Sequence, residues 1–316
     1  MTGEDDLERI SSAISELEKR SREVDALIDK LNEKKKEVRR LLDALSVPEN
    51  SSKGKSTSSD SVAREALIKA VSENVKGQKM STGNGKLDSL LYGGIAPPSN
   101  IVLRGPPFSG KFIIANNFVA QSLRDGIPVI VLSADKDIVQ MKESLSKIAG
   151  DVEKAEESGL LRFIDAYSRS IQAEVGSKHA VQVDSYNLSS LIKTVDSVTS
   201  EVCQKHKGYR FLLTSLTTFI TQHDEKTFLR LLQQFSQKRK TEGSLTFYIL
   251  EDGLFDDRMY EAVSYLMDGA IHLRKTFTDN YIRIEGIGNA RSREWIEMYP
   301  SETGYDLGSF TLERVR

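Results

Sequence analysis

Residues Ile101–Phe118 read IVLRGPPFSGKFIIANNF. An apolar strand, Ile101–Leu103, leads into a glycine-bounded loop and then an apolar helix, Lys111–Leu123. The loop, Gly105-Pro106-Pro107-Phe108-Ser109-Gly110-Lys111-Phe112, meets the phosphate-binding pattern G-x-x-x-x-G-K-[ST] at every fixed position but the last. In such a loop, backbone N–H groups and a helix N-terminus cradle phosphate, and the Lys reaches the outer phosphate oxygens. The last position supplies a hydroxyl to Mg²⁺. Here it is Phe112, which has no oxygen to offer. Pro106 and Pro107 bring no N–H, but they lie early in the loop.

Outward from this stretch, strands and helices alternate. Pro128–Leu132, Arg210–Ser215 and Leu245–Leu250 are continuous apolar runs, the pattern of strands buried on both faces. Leu161–Asp165 reads as a further strand. Ile138–Ala149, Ser189–His206, Thr227–Lys240 and Met259–Met267 read as helices between and after them. Upstream, Ser81–Asp88 is turn-like and Ser89–Leu91 a brief helix stopped by Gly93-Gly94. Residues 169–187 lack clear periodicity and read as a loop. Ala270–Arg274 and Tyr281–Ile287 flank a Thr278-Asp279-Asn280 turn, predicting a hairpin at one edge. Strand and helix in alternation imply an α/β fold with a mostly parallel sheet covered on both faces.

The N-terminal part is of another kind. With Leu7 at position a of a heptad, the a positions are Leu7, Ile14, Ser21, Ile28, Lys35 and Leu42. The d positions are Ile10, Leu17, Val24, Leu31, Val38 and Leu45. The spacing does not slip over residues 4–46, which predicts a coiled coil, with Ser21 and Lys35 setting its register. Residues 47–61 are rich in Ser, Thr, Gly and Lys and predict a flexible linker. A short connecting helix is expected within 62–79, and the globular body within 80–316.

Composition narrows the function classes. The chain has 316 residues, is 39% hydrophobic and 28% charged, and carries a net charge of −2. That charge gives no general attraction to nucleic acid or anionic membrane. Cys203 is the single cysteine, so no disulfide and no cysteine metal site forms within the chain. The four histidines, His179, His206, His223 and His272, have no ligand-like spacing, and no metal ligands are assigned. No apolar run approaches the ~20 residues that cross a bilayer. The start, MTGEDDLERI, lacks the apolar core of a signal peptide. A cytoplasmic protein without membrane insertion is expected.

Several stretches in order carry a resemblance. Ser81-Thr82-Gly83, Leu87-Asp88, Leu90-Leu91 and Gly93-Gly94-Ile95 look like an STGxxxLDxLLxGGI opening motif. The Gly105–Phe112 loop follows. Val129–Asp137 looks like a second strand ending in an acidic pair. Arg210–Ile220 looks like a Walker B strand, and Asp268-Gly269-Ala270-Ile271 with Leu273-Arg274 like a late DGVIxLR motif. Through this set the body resembles the RecA superfamily and, within it, the KaiC-like ATPases common in archaea. The resemblance implies a RecA-like sheet preceded here by the coiled-coil helix. It implies ATP or ADP as ligand, held by Gly105, Pro106, Pro107, Phe108, Ser109, Gly110, Lys111 and Phe112.

The same resemblance exposes three departures. Phe112 stands where the metal hydroxyl belongs. Thr214 stands where the Walker B strand places its metal-holding Asp. Asp135-Lys136 stands where an acidic pair polarises the attacking water. Asp135 and Glu251, at the end of Leu245–Leu250, remain as candidate catalytic carboxylates. Arg291 and Arg293 are candidates for an arm reaching a neighbouring subunit's nucleotide. Losing one such contact costs roughly 10²–10³ in rate, and three are altered together, so Mg²⁺ is not expected at its usual place. The expectation is a non-hydrolysing regulatory or scaffolding module, of the signal-transduction kind, that oligomerises or docks a protein partner through residues 4–46. One alternative is a slow but active Mg-ATPase. Another is a DNA-binding recombinase paralogue, supported only by Lys238-Arg239-Lys240 and the two arginines, and nucleic acid is not the expected partner.

Overall fold

The computed structural model describes residues 79–171, 177–288 and 290–309. The predicted coiled coil, linker and connecting helix lie outside the described residues.

A ten-stranded sheet runs in the order β10-β9-β8-β7-β1-β6-β5-β2-β3-β4. Its parallel part comprises β1 (Ser99–Gly105), β2 (Val129–Ser133), β3 (Leu161–Asp165), β4 (Val181–Gln182), β5 (Arg210–Leu213), β6 (Leu245–Glu251) and β7 (Gly269–Lys275). Then β8 (Asn280–Glu285), β9 (Ile296–Pro300) and β10 (Tyr305–Leu307) add on antiparallel and extend the β7 edge.

Alternate residues of the parallel strands feed two apolar layers. Ile101, Leu103, Val129, Val131 and Phe247 join one layer. It packs on α1 (Gly85–Leu90), α2 (Lys111–Arg124) and α3 (Ile138–Ala149), with Phe118 of α2 stacked on Phe247 at 4.1 Å. Short α4 (Val152–Glu157) follows on the same side through Val152. Val102, Ile130, Leu132, Phe211 and Tyr248 join the other layer. It packs on α5 (Leu188–Lys205), α6 (Leu216–Gln222), α7 (Glu225–Thr241) and α8 (Asp257–Tyr265). Apolar residues on both faces are why these strands read as unbroken runs rather than alternating ones.

Two arginines lie inside this body. Arg210 donates to Phe118 O at 3.0 Å and to Asp125 Oδ2 at 2.8 Å. Burial pushes its pKa down to about 10, against the pull of Asp125. Arg239 meets Asp196 and Glu242, each at 3.2 Å, and lies 4.9 Å from the Phe235 ring centroid. Removing one partner of such a buried pair leaves an uncompensated charge.

Several elements differ from the sequence reading. The first helix spans Gly85–Leu90 rather than starting at Ser89, because the Asn84 side chain caps it by accepting from Leu87 N. The run 169–187 is not all loop: it holds a 3₁₀ turn, Ser168–Ile171, and the edge strand β4. Strand β5 ends at Leu213, and the residues after it turn into α6.

The opening motif is structural. Asp88 accepts from Ser81 Oγ at 2.5 Å and from both Thr82 N and Thr82 Oγ1 at 2.7 Å. Gly83 has φ 93°, and a Cβ there would lie 2.5 Å from Asn117 O on α2. The motif therefore seats α1 against the helix that follows the loop.

Candidate functional site

Parallel pairing brings four chain segments to one end of the sheet. Gly105, at the end of β1, is in register with Glu251 at the end of β6. Leu132 of β2 is in register with Leu213 of β5, so Thr214 and the Ala134-Asp135-Lys136 turn emerge side by side. The carboxyl ends of parallel strands are where α/β sheets bind ligands.

The loop Gly105–Phe112 joins β1 to α2 as the sequence predicts. Gly110 takes φ 92° as the residue before the helix, a backbone shape that side chains rarely tolerate. Phe108 is 89% exposed at φ 60°, and Ser109 is buried. Pro106 and Pro107 form the loop's first turn, where Pro106 O accepts from Ser109 N at 3.3 Å. The N–H groups of Gly110, Lys111 and Phe112 find no acceptor among the described residues. They are the free donors that a phosphate oxygen requires.

Lys111 is only 2% exposed and turned inward. Its Nζ donates to Gly105 O at 2.8 Å, Pro106 O at 2.6 Å and Glu251 Oε2 at 2.9 Å. Burial lowers its pKa, while the hydrogen bond and charge of Glu251 oppose that shift. Glu251 is itself pinned through its backbone. Its N–H donates to Thr217 Oγ1 at 3.1 Å and its carbonyl accepts from Tyr260 Oη at 3.0 Å. Next to it, Asp252 pairs with Arg104.

Asp135 is paired with Thr214. Thr214 Oγ1 donates to Asp135 Oδ1 at 2.5 Å and accepts from Ala134 N at 3.0 Å. Burial raises the Asp135 pKa, and the Thr214 hydrogen bond and the Lys136 charge only partly counter it. Lys136 follows on the same turn, which is fixed by Ser133 Oγ donating to Lys136 O at 2.6 Å. Its Nζ lies 3.3 Å from the centroid of the Phe112 ring.

The donor set does not fit Mg²⁺. Phe112 presents a ring, the Thr214 hydroxyl is engaged by Asp135, and an ammonium lies on the ring. Among the described residues no group of three or more His, Cys, Asp or Glu is placed to hold a metal ion. The free loop amides are donors of the kind that phosphate oxygens accept from, whereas Lys111 is engaged by its carbonyl partners and Glu251.

The remaining candidates lie elsewhere. The Arg291 N–H donates to Leu90 O at 2.9 Å and its guanidinium lies 4.5 Å from the Tyr92 ring centroid. Arg293 is exposed. The basic run is neutralised, with Lys238 on Asp196 at 2.6 Å, Arg239 on Asp196 and Glu242, and Lys240 on Asp268 at 2.6 Å. Sequence reasoning missed the supports of Glu251, Thr217 and Tyr260. Their only signal is the Ser/Thr-rich run after β5, where Ser215 caps α6 by accepting from Thr218 N at 3.1 Å. Among the described residues no helix is long and apolar enough to cross a membrane.

The chain is similar to known proteins. A UPF0273 protein of Pyrococcus furiosus is 26% identical over 141 residues, 45% of this chain and 56% of its own. One of Methanopyrus kandleri is 29% identical over 126 residues, 40% of this chain and 50% of its own. The chain thus spans about half the length of the curated relatives it matches. The crystal structure of a KaiC-like protein from Pyrococcus horikoshii superposes with a TM-score of 0.59 at 16% identity, covering 73% of this chain and 99% of that one. That likeness concerns the fold alone. The family described as "ATPase: KaiC" matches residues 80–294. With well over half its length in that match and a phosphate-binding loop at the sheet's carboxyl end, the chain belongs to the KaiC family of P-loop ATPases.

Proposed function

We propose that this chain is a non-hydrolysing member of its family, a regulatory or scaffolding module that retains a nucleotide cradle and oligomerises or docks a protein partner through residues 4–46. The observation that carries the reading is the 2.5 Å hydrogen bond from Thr214 to Asp135. The carboxylate nearest the position of a water-activating acid is shorter than Glu and is committed to the residue in the metal-holding position. General-base work needs a carboxylate within hydrogen-bond reach of the water and free to take its proton. Glu251 does not replace it, because its carboxylate is paired with Lys111. Binding asks less of the site than turnover. The loop amides and Lys111 remain, and with them ATP or ADP as the expected ligand class.

The test is ATP turnover by the full chain, compared with Lys111→Ala. Phosphate release no faster in the wild type than in the variant is the expected result. Mg²⁺-dependent release that the variant loses would overturn the reading in favour of a slow ATPase.

A further inference from the structure

We propose that the ammonium of Lys136 stands in for the divalent cation of this site, so that the loop takes a nucleoside di- or triphosphate free of metal. The inference rests on the nucleotide cradle of the proposed function and says which form of the nucleotide the cradle selects.

Three observations place the cation. Lys136 Nζ lies 3.3 Å from the Phe112 ring centroid, and Phe112 directly follows Lys111 in the first turn of α2. The ring face is a seat for a cation that needs no oxygen ligand. The ammonium donates no hydrogen bond to the described residues, so its N–H groups turned away from the ring are open to an acceptor. Both ends of its turn are fixed, by Ser133 Oγ on Lys136 O at 2.6 Å and by Asp137 Oδ1 accepting from Val139 N at 2.7 Å to start α3. Lys136 is thus held at the phosphate end of the loop by backbone anchors.

Charge supports the same assignment. Lys111 and Lys136 face Asp135 and Glu251; burial lowers the pKa of both lysines, and the carboxylates oppose that shift, Glu251 at Lys111 and Asp135 with Glu251 at Lys136. The four formal charges cancel. An anion entering among them meets two ammonium groups and free amides as well as the two carboxylates. A divalent ion entering with it would meet the Lys136 ammonium as a like charge, while the Thr214 hydroxyl and one oxygen each of Asp135 and Glu251 are already engaged. Metal bound to the nucleotide is therefore a disadvantage here, whereas in a metal-holding site it is a requirement.

The experiment is equilibrium binding of ADP and ATP to the full chain by calorimetry, in excess EDTA and in excess Mg²⁺. Wild type, Lys136→Met and Lys136→Arg are compared, and thermal melts check that each is folded. The expected result is binding in EDTA at least as tight as in Mg²⁺. Lys136→Met should lose about tenfold in EDTA, the size of one lost charge-assisted contact, and Lys136→Arg should keep most of the affinity. Tighter binding in Mg²⁺, no binding in EDTA, or a folded Lys136→Met with unchanged affinity would each overturn the proposal. Turnover would sink the non-hydrolysing reading instead. A Mg²⁺ requirement for binding without turnover sinks only the role given to Lys136.

Discussion

Lys111 is held by its own loop. Three acceptors within 2.9 Å, two of them carbonyls of the loop that it serves, occupy the ammonium that a phosphate would need. Glu251 is the one charged acceptor of the three, and its carboxylate also adds negative charge where the proposed nucleotide would bind. Glu251→Gln should therefore tighten ADP binding about fivefold. That corresponds to ~1 kcal/mol, the upper range for a partly exposed ion pair, and titration calorimetry reads it directly. Weaker binding would mean that Glu251 positions Lys111 for phosphate instead of competing for it. Which residue types gather at this end of the sheet is legible in the sequence: Phe112, Thr214 and Asp135-Lys136 follow β1, β5 and β2. Where the charges point is not. Adjacent in the chain, Lys136 and Asp135 suggest a simple ion pair. In the fold, Asp135 turns to Thr214 and Lys136 to Phe112, because a two-residue turn aims its side chains by backbone hydrogen bonds such as Ser133–Lys136.

Elements are more legible than side chains where burial is two-sided. Val129–Leu132 and Leu245–Leu250 feed both apolar layers, and their runs declare them as strands. Helix α6 hides for the opposite reason. Leu216-Thr217-Thr218-Phe219-Ile220 has two β-branched threonines and continues an apolar strand, so its propensity argues for extension. The Ser215 cap and the burial of Phe219 in the second layer override that propensity. Short α1 is set by its contacts as much as by its sequence. Gly83→Ala should destabilise the body by about 1–3 kcal/mol, because a Cβ at φ 93° strains the backbone and would press on Asn117 O. A fall in melting temperature with unchanged far-UV circular dichroism is the expected outcome. An unshifted melt would mean that α1 and α2 are free to move apart.

For the molecule as a whole, subunit number follows from which segment joins the chains. If the proposed coil of residues 4–46 joins the chains, polar Ser21 and Lys35 at a positions would favour two strands. Native mass spectrometry of the full chain should give an even number of subunits, and removal of residues 1–50 should reduce that number. The same count in both would assign assembly to the body and remove the coil as its cause. The body also closes on itself over a long span of chain. Asn84, which caps α1, donates through Nδ2 to Tyr305 O at 2.5 Å, and Lys86 donates to Leu307 O at 2.6 Å. Those partners are 221 residues apart in sequence. During synthesis the helix Gly85–Leu90 thus waits for partners made 221 residues later. A ribosome that stalls before Tyr305 holds a chain whose phosphate loop is already complete but whose α1 still lacks both of these carbonyl partners.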